Sequence, residues 1–260
     1  MLRTDREAES VFRRSLFTLA WLLSACTLPG APAVPVASSG AWNLDVLAVT
    51  TMDVETQNPK YRVHLRWPSA PNARIYEVVR KLDGKPANVK ATLTTPGWLD
   101  DALGAGQSAS YKVHTLSGES KLLTASDERP VTVLKNEVPA PVGLKPADNA
   151  VLGVGELPLL SWDRVENADW YYVQVSRADD DRMVYSALTT STSLKFGDRS
   201  PLQLDKFPDI LPVQANAGIA RGVVHRWTVS SVRTTGGSDP ARVTAVDIRS
   251  SEVHRFSPGG

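Results

Sequence analysis

The sequence predicts an all-β protein: two tandem β-sandwiches that follow a cleaved export signal and a flexible tether. Three observations predict it: strands with period-two alternation of apolar and polar residues, turn signals between them, and a five-residue pattern that recurs 95 positions later. The 260 residues suffice for two ordinary domains, and 42% apolar content is enough for packed cores. Charge is nearly balanced, 29 Lys and Arg against 28 Asp and Glu. The first 25 residues carry four of the basic and three of the acidic groups, so their removal leaves 25 of each. With no basic excess to neutralise phosphates, no nucleic-acid partner is expected, and a polybasic membrane patch is disfavoured for the same reason. A single cysteine excludes an internal disulfide framework and any multi-cysteine metal site.

Residues 1–25 read as an export signal. Phe12-Arg13-Arg14-Ser15 is a basic flank, and Leu16 to Leu23 follows as an uncharged run of eight residues, too short to span a bilayer. Leu23, Ser24, Ala25 and Cys26 then match the lipobox of bacterial lipoproteins at all four positions, which is a resemblance to that class. The resemblance implies that Cys26 becomes the lipidated first residue of the mature chain, a membrane anchor. No cofactor other than that covalent lipid is expected. Thr27 is not the aspartate associated with inner-membrane retention, so the outer membrane or cell surface is the expected location. The twin-arginine pattern fits poorly around Arg13-Arg14, which favours general secretion. Asp5, Glu7 and Glu9 are unusual in a signal, and a start at Val11 would remove them. Residues 26–40 follow as a Pro-, Ala- and Ser-rich tether without charge.

The repeat divides the rest into 41–135 and 136–256. Trp67, Asn72, Ala73, Tyr76 and Val78 recur as Trp162, Asn167, Ala168, Tyr171 and Val173. Tyr61, Val63, Leu65 and Trp67 alternate with Arg62, His64 and Arg66, the period of a half-buried strand. Tyr76 with Val78, and Tyr111 with Val113, continue the inward set. Leu160 with Trp162, Tyr171 through Val175, and Trp227 with Val229 repeat it in the second copy. Pro68-Ser69, Asp83-Gly84, Ser117-Gly118 and Gly236-Gly237 are the turns between such runs. Trp67, Tyr76-x-Val78 and Asp100-Asp101-Ala102-Leu103 leading to Tyr111-x-Val113 resemble a fibronectin type III domain. The second copy, from Leu144 to Val229, is similar to bacterial members of that family. The resemblance implies an immunoglobulin-like β-sandwich in each copy, used as a binding surface or spacer rather than as an enzyme. The long Leu103-to-Tyr111 spacing puts the family's tyrosine-corner bond in question in the first copy, and Trp227 removes it from the second. The short, proline-stiffened link from Asn136 to Pro141 leaves contact between the copies open.

Tyr111 and Trp227 lie 116 apart rather than 95, so the second copy holds 21 extra residues, placed near 197–222. Pleat alternation turns Trp170, Tyr172 and Gln174 outward, with Tyr185 on a neighbouring strand and Trp98 similarly outward in the first copy. Together they form a possible binding patch for a partner protein or a sugar. The alternative, which the apolar content of 197–222 favours, lays the insertion across that face. No catalytic or metal site is expected. The four histidines lack ligand spacing, His64 and His114 read as solvated strand residues, and Asp179-Asp180-Asp181 reads as a solvated turn. The expected role is a lipid-anchored cell-envelope protein that binds an envelope protein as an interaction or scaffolding module. The alternative is a cell-wall polysaccharide accessory, and a hydrolase is a third and weaker reading. Mass spectrometry of the native chain is expected to find a lipidated Cys26 at the amino terminus. Cys26→Ser should leave the protein unlipidated and in the soluble fraction.

Overall fold

The computed structural model describes residues 42–259 apart from Val54, Gly84, Asn216 and Ala217. The signal run, the tether, and the lipobox residues Leu23, Ser24, Ala25 and Cys26 lie outside the described residues. Those described form sixteen strands and one 3-10 turn at Pro240–Arg242.

In the first module, β1 (Asp45–Met52), β2 (Pro59–Arg66) and β5 (Trp98–Asp100) form one layer. The second layer is β4 (Asn88–Leu93), β3 (Ile75–Leu82), β6 (Ser108–Leu116) and β7 (Leu122–Ala125), with β8 (Arg129–Thr132) also paired to β6. Val63 and Leu65 of β2 meet Tyr76, Val78, Tyr111 and Val113 between the layers, the inward positions read from alternation. In the second module, β10 (Leu159–Ser161) and β13 (Ser193–Lys195) make a small layer. It faces β12 (Met183–Thr189), β11 (Trp170–Arg177), β14 (His225–Thr234) and β15 (Ala245–Ser250), which β16 (His254–Ser257) and β9 (Ala150–Val151) complete. Leu160, Trp162, Tyr171, Val173, Phe196 and Trp227 fill this core. Each module thus has the two-layer strand order of a fibronectin type III-like sandwich, and the fold class is all-β.

The recurring residues have one local purpose. Trp67 packs on Tyr76 with ring centroids 5.8 Å apart, and Trp162 packs on Tyr171 at 5.3 Å. The Tyr76 hydroxyl accepts from the Ala70 amide at 3.2 Å, and the Tyr171 hydroxyl accepts from the Val165 amide at 2.9 Å. Asn72 and Asn167 turn the chain between tryptophan and tyrosine at φ of 62° and 63°, a left-handed conformation asparagine tolerates better than most residues. Each motif therefore ties a strand end, a turn and the next strand into one unit.

A second repeated device is a serine bulge. The Ser126 amide donates to the Val113 carbonyl at 2.9 Å, and its hydroxyl accepts from the Val113 amide at 3.0 Å. Ser251 makes the same two bonds to Val229, at 2.9 and 3.2 Å. Each hydroxyl then donates to the next residue's carbonyl, that of Asp127 or Glu252. One side chain thus satisfies a backbone amide where the ladder is interrupted, splitting the last strand into β7 and β8 in one module and β15 and β16 in the other.

At the corner between β5 and β6, the Tyr111 hydroxyl donates not to nearby backbone but to the Asp100 carboxylate at 2.7 Å. Arg80 donates to the same oxygen at 2.6 Å, and all three side chains are buried. Burial, with the Asp100 bond second, pushes the Tyr111 hydroxyl well above the usual phenol range. Tyr111 sits opposite Arg80, and Trp227 sits opposite Val175, so the second copy replaces the polar set with an apolar pair. Asp100→Ala is expected to cost about 3–5 kcal/mol in chemical denaturation, because it strands the buried Arg80 cation. Adding Arg80→Val should recover most of that loss. A double variant no more stable than Asp100→Ala would show that the charge is not what costs.

Candidate functional site

The modules are not separate. β15 pairs antiparallel with β14 and parallel with β1, through Ala48–Ala245, Val49–Val246 and Thr50–Asp247. One layer from each module thereby becomes a single nine-stranded sheet, whose main path runs β12-β11-β14-β15-β1-β2-β5. Alternate residues of five of these strands point to one face: Trp170 and Tyr172, Leu188, Val232, Val246, and Leu47 with Val49. The connection from β13 to β14 crosses that face and buries Leu204, Phe207 and Leu211 against it. A third core thus seals both modules under the insertion.

Polar bonds hold the strap at its ends. The Tyr172 and Ser186 hydroxyls both donate to the Pro212 carbonyl, at 2.7 and 2.6 Å. The Leu188 amide donates to the Ser200 hydroxyl at 2.7 Å, and Ser186 exchanges backbone bonds with Gln214 at 3.1 and 3.2 Å. These bonds occupy the outer edge of β12, which would otherwise be open to a foreign strand. On the first module, Arg66 pairs with Asp209 and lies 5.2 Å from the centre of the Phe207 ring, and Lys206 reaches Asp45 at 3.4 Å. Exposed ion pairs contribute at most about 1 kcal/mol. Full burial of each large apolar side chain contributes about 1.5–3 kcal/mol, so the apolar strap dominates.

This arrangement covers the possible patch. Trp170 is 0% exposed and Tyr172 4%, because Leu204, Phe207 and Leu211 cover them. Tyr185 is on the neighbouring strand but faces the other way: it sits opposite the inward Val175, packs on Phe196 at 5.0 Å and donates to the Asp198 carbonyl. Burial pushes the Tyr172 and Tyr185 hydroxyls up to about 12. Gln174 is half-buried beyond the strap, in a hollow of about 300 Å³ beside Ser176, Thr228 and Arg226. Trp98, also half-buried, packs on the first core and lines a shallow depression with His64 and Pro96. The five residues do not form one site.

The other polar candidates are committed locally. Arg177 holds Asp179 through bonds of 3.0 and 2.5 Å, and Arg226 pairs with Asp181. His64 and His114 are half-buried, and His114 lies 4.0 Å from Glu77. Among the described residues no three His, Cys, Asp or Glu side chains gather where a metal ion would need them. His225 is fully buried and stacks on Phe256 at 5.4 Å, and burial lowers its pKa below the ordinary value.

Asp247 is the polar centre of the junction, which sequence reasoning missed. Its side chain is 0% exposed and accepts from the Glu137 and Val138 amides of the link at 2.9 and 3.0 Å. Arg233 stands 3.6 Å away and also binds Glu137 and the Lys135 carbonyl. Burial raises the Asp247 pKa despite the amides and the guanidinium, which oppose it. Beyond Asp247, β1 and β15 part around a groove of about 920 Å³ whose lining includes Met52, Val142, Leu144, Ile248, Arg249 and Val253.

No family model matches the chain, and no curated protein matches it. Structures with similar folds include the FN1–FN3 domains of chicken CNTN1, 14% identical, covering 81% of this chain and 62% of that one at a TM-score of 0.40. The chain thus spans 62% of that fragment. A cytokine receptor complex is 15% identical and covers 82% of this chain and 96% of that one, TM-score 0.31. An Fn3-like protein from Clostridium thermocellum is 24% identical over 37% of this chain and 98% of that one, TM-score 0.26.

Two outcomes test the junction. Phe207→Ala should cost about 3–5 kcal/mol and shift tryptophan emission to the red as Trp170 meets water. Asp247→Ala should cost about 1–3 kcal/mol by stranding two link amides. Asp247→Asn keeps an acceptor but cannot ionise. In the parent a raised pKa means stability falls as pH climbs from the ordinary value of 3.8 to the raised one, then levels off. The stability of Asp247→Asn relative to the parent should therefore increase over that window. A relative loss there would show that the carboxylate is stabilised, not penalised, by its site.

Proposed function

We propose that this chain is a lipid-anchored cell-envelope protein that acts as a non-enzymatic protein-interaction or scaffolding module. The observation that carries the proposal is the shared nine-stranded sheet under its strap, because it makes the two sandwiches a single stiff platform. A platform whose modules are already ordered loses little further freedom when a partner docks. The proposed tether of residues 26–40 would allow the platform to stand up to about 50 Å from the lipid. The platform presents exposed apolar side chains, among them Val142, Val151, Val154 and Leu159 at 61–76% exposure, all in the second module. Trp170 and Tyr172, which a protein or a sugar could have met on an outward patch, lie under the strap, so neither reading rests on them.

Cross-linking in intact cells, followed by purification of the full chain from its native membrane, should enrich one or a few envelope proteins. Phe207→Ala, which loosens the platform, should reduce that recovery. Retention on cell-wall glycan with no protein enriched would sink the proposal in favour of the accessory reading.

A further inference from the structure

Resting on that reading, we infer that the splay between β1 and β15 is an acceptor site for an extended segment of a partner protein that carries an acidic side chain opposite Arg249. The ladder between the two strands ends at Thr50–Asp247, although β1 runs on to Met52 and β15 to Ser250. On its other side β15 is fully engaged, with Ile248, Arg249 and Ser250 opposite Val232, Ser231 and Ser230. Among the described residues no backbone bond crosses the splay beyond the last ladder pair. A strand with one edge paired and the other facing a groove offers amides and carbonyls at strand spacing, which is the recognition chemistry of another extended backbone. The inserted segment would continue the same ladder that already joins the modules.

The walls specify its side chains. Met52, Ile248, Val142 and Val253 give the groove apolar sides, and Val142 and Val253 are 62% and 47% exposed. Arg249 is half-buried there, and among the described residues its side chain has neither an ion pair nor a hydrogen bond. A guanidinium partly withdrawn from water and unpaired gains most from a carboxylate able to accept two of its bonds. Glu252 also lines the groove but is exposed, where water and salt screen it. Among the described residues no tryptophan, tyrosine or phenylalanine lines the groove and His254 is its one ring, so a sugar would lack the broad stacking surface it favours.

The probe is a fluorescein-labelled heptapeptide of alternating valine and glutamate, blocked at its carboxyl end, titrated with the full chain and followed by anisotropy. Saturable binding is expected, and the matching lysine peptide should bind at least about tenfold more weakly. Arg249→Glu should reverse that preference, and Arg249→Gln should abolish it, both with an unchanged denaturation midpoint, since the side chain has no partner to lose. Methylating alternate peptide amides should also weaken binding about tenfold by removing ladder donors. The inference is overturned if neither peptide saturates, if Arg249→Glu leaves the preference as it was, or if methylation has no effect. Capture from native membranes separates the two levels. A partner recovered equally by the parent and Arg249→Glu overturns the groove and leaves the interaction module standing. No partner with the parent chain removes the broader reading itself.

Discussion

Three residue pairs of parallel ladder, between β1 and β15, decide what kind of object this protein is. Without them the chain would be two sandwiches on a short link, free to reorient. With them the outer layer of one module is the continuation of a layer in the other. Three parallel pairs would be weak by themselves. They persist because the strap covers one side with apolar side chains, while Asp247 ties the link on the other. The energetics divide accordingly: apolar burial supplies most of the stabilisation, and the buried carboxylate fixes geometry at some cost in solvation.

The repeat was legible because it is a local unit. Tryptophan, asparagine, alanine and tyrosine are required by one turn and its flanking strands, so both copies retain the same spacing. Alternation located β2, β3, β6, β11 and β14 for a similar reason: each has one face in a core. β1 escaped notice because both its faces are buried, Val46 and Ala48 in the first core and Leu47 and Val49 under the strap. A strand buried on both sides shows a continuous apolar run, as in DVLAVTTM, and loses the period that announces a strand.

Orientation was readable where exposure was not. Trp170 and Tyr172 do point away from the core of their own sandwich, as the pleat requires, but a third layer made from a distant stretch of chain covers them. The apolar content of that stretch indicated that it needed a surface, without indicating which one. Asp247 gave no signal, since an aspartate in a strand is usually a solvated one. The serine bulges were equally silent: Ser126 and Ser251 lie 125 residues apart, an offset shared with neither the tryptophan motif nor the Tyr111–Trp227 pair.

The position of β1 within the sheet also sets how the protein would bear load. The covalent chain leading into Trp42 continues directly into a strand clamped on both flanks, by β2 on one side and β15 on the other. A pull from that end cannot peel an edge strand away one bond at a time. It must shear two ladders and drag the strap's apolar side chains across the face beneath them. Tension would thus enter both sandwiches at once, through the seam that unites them.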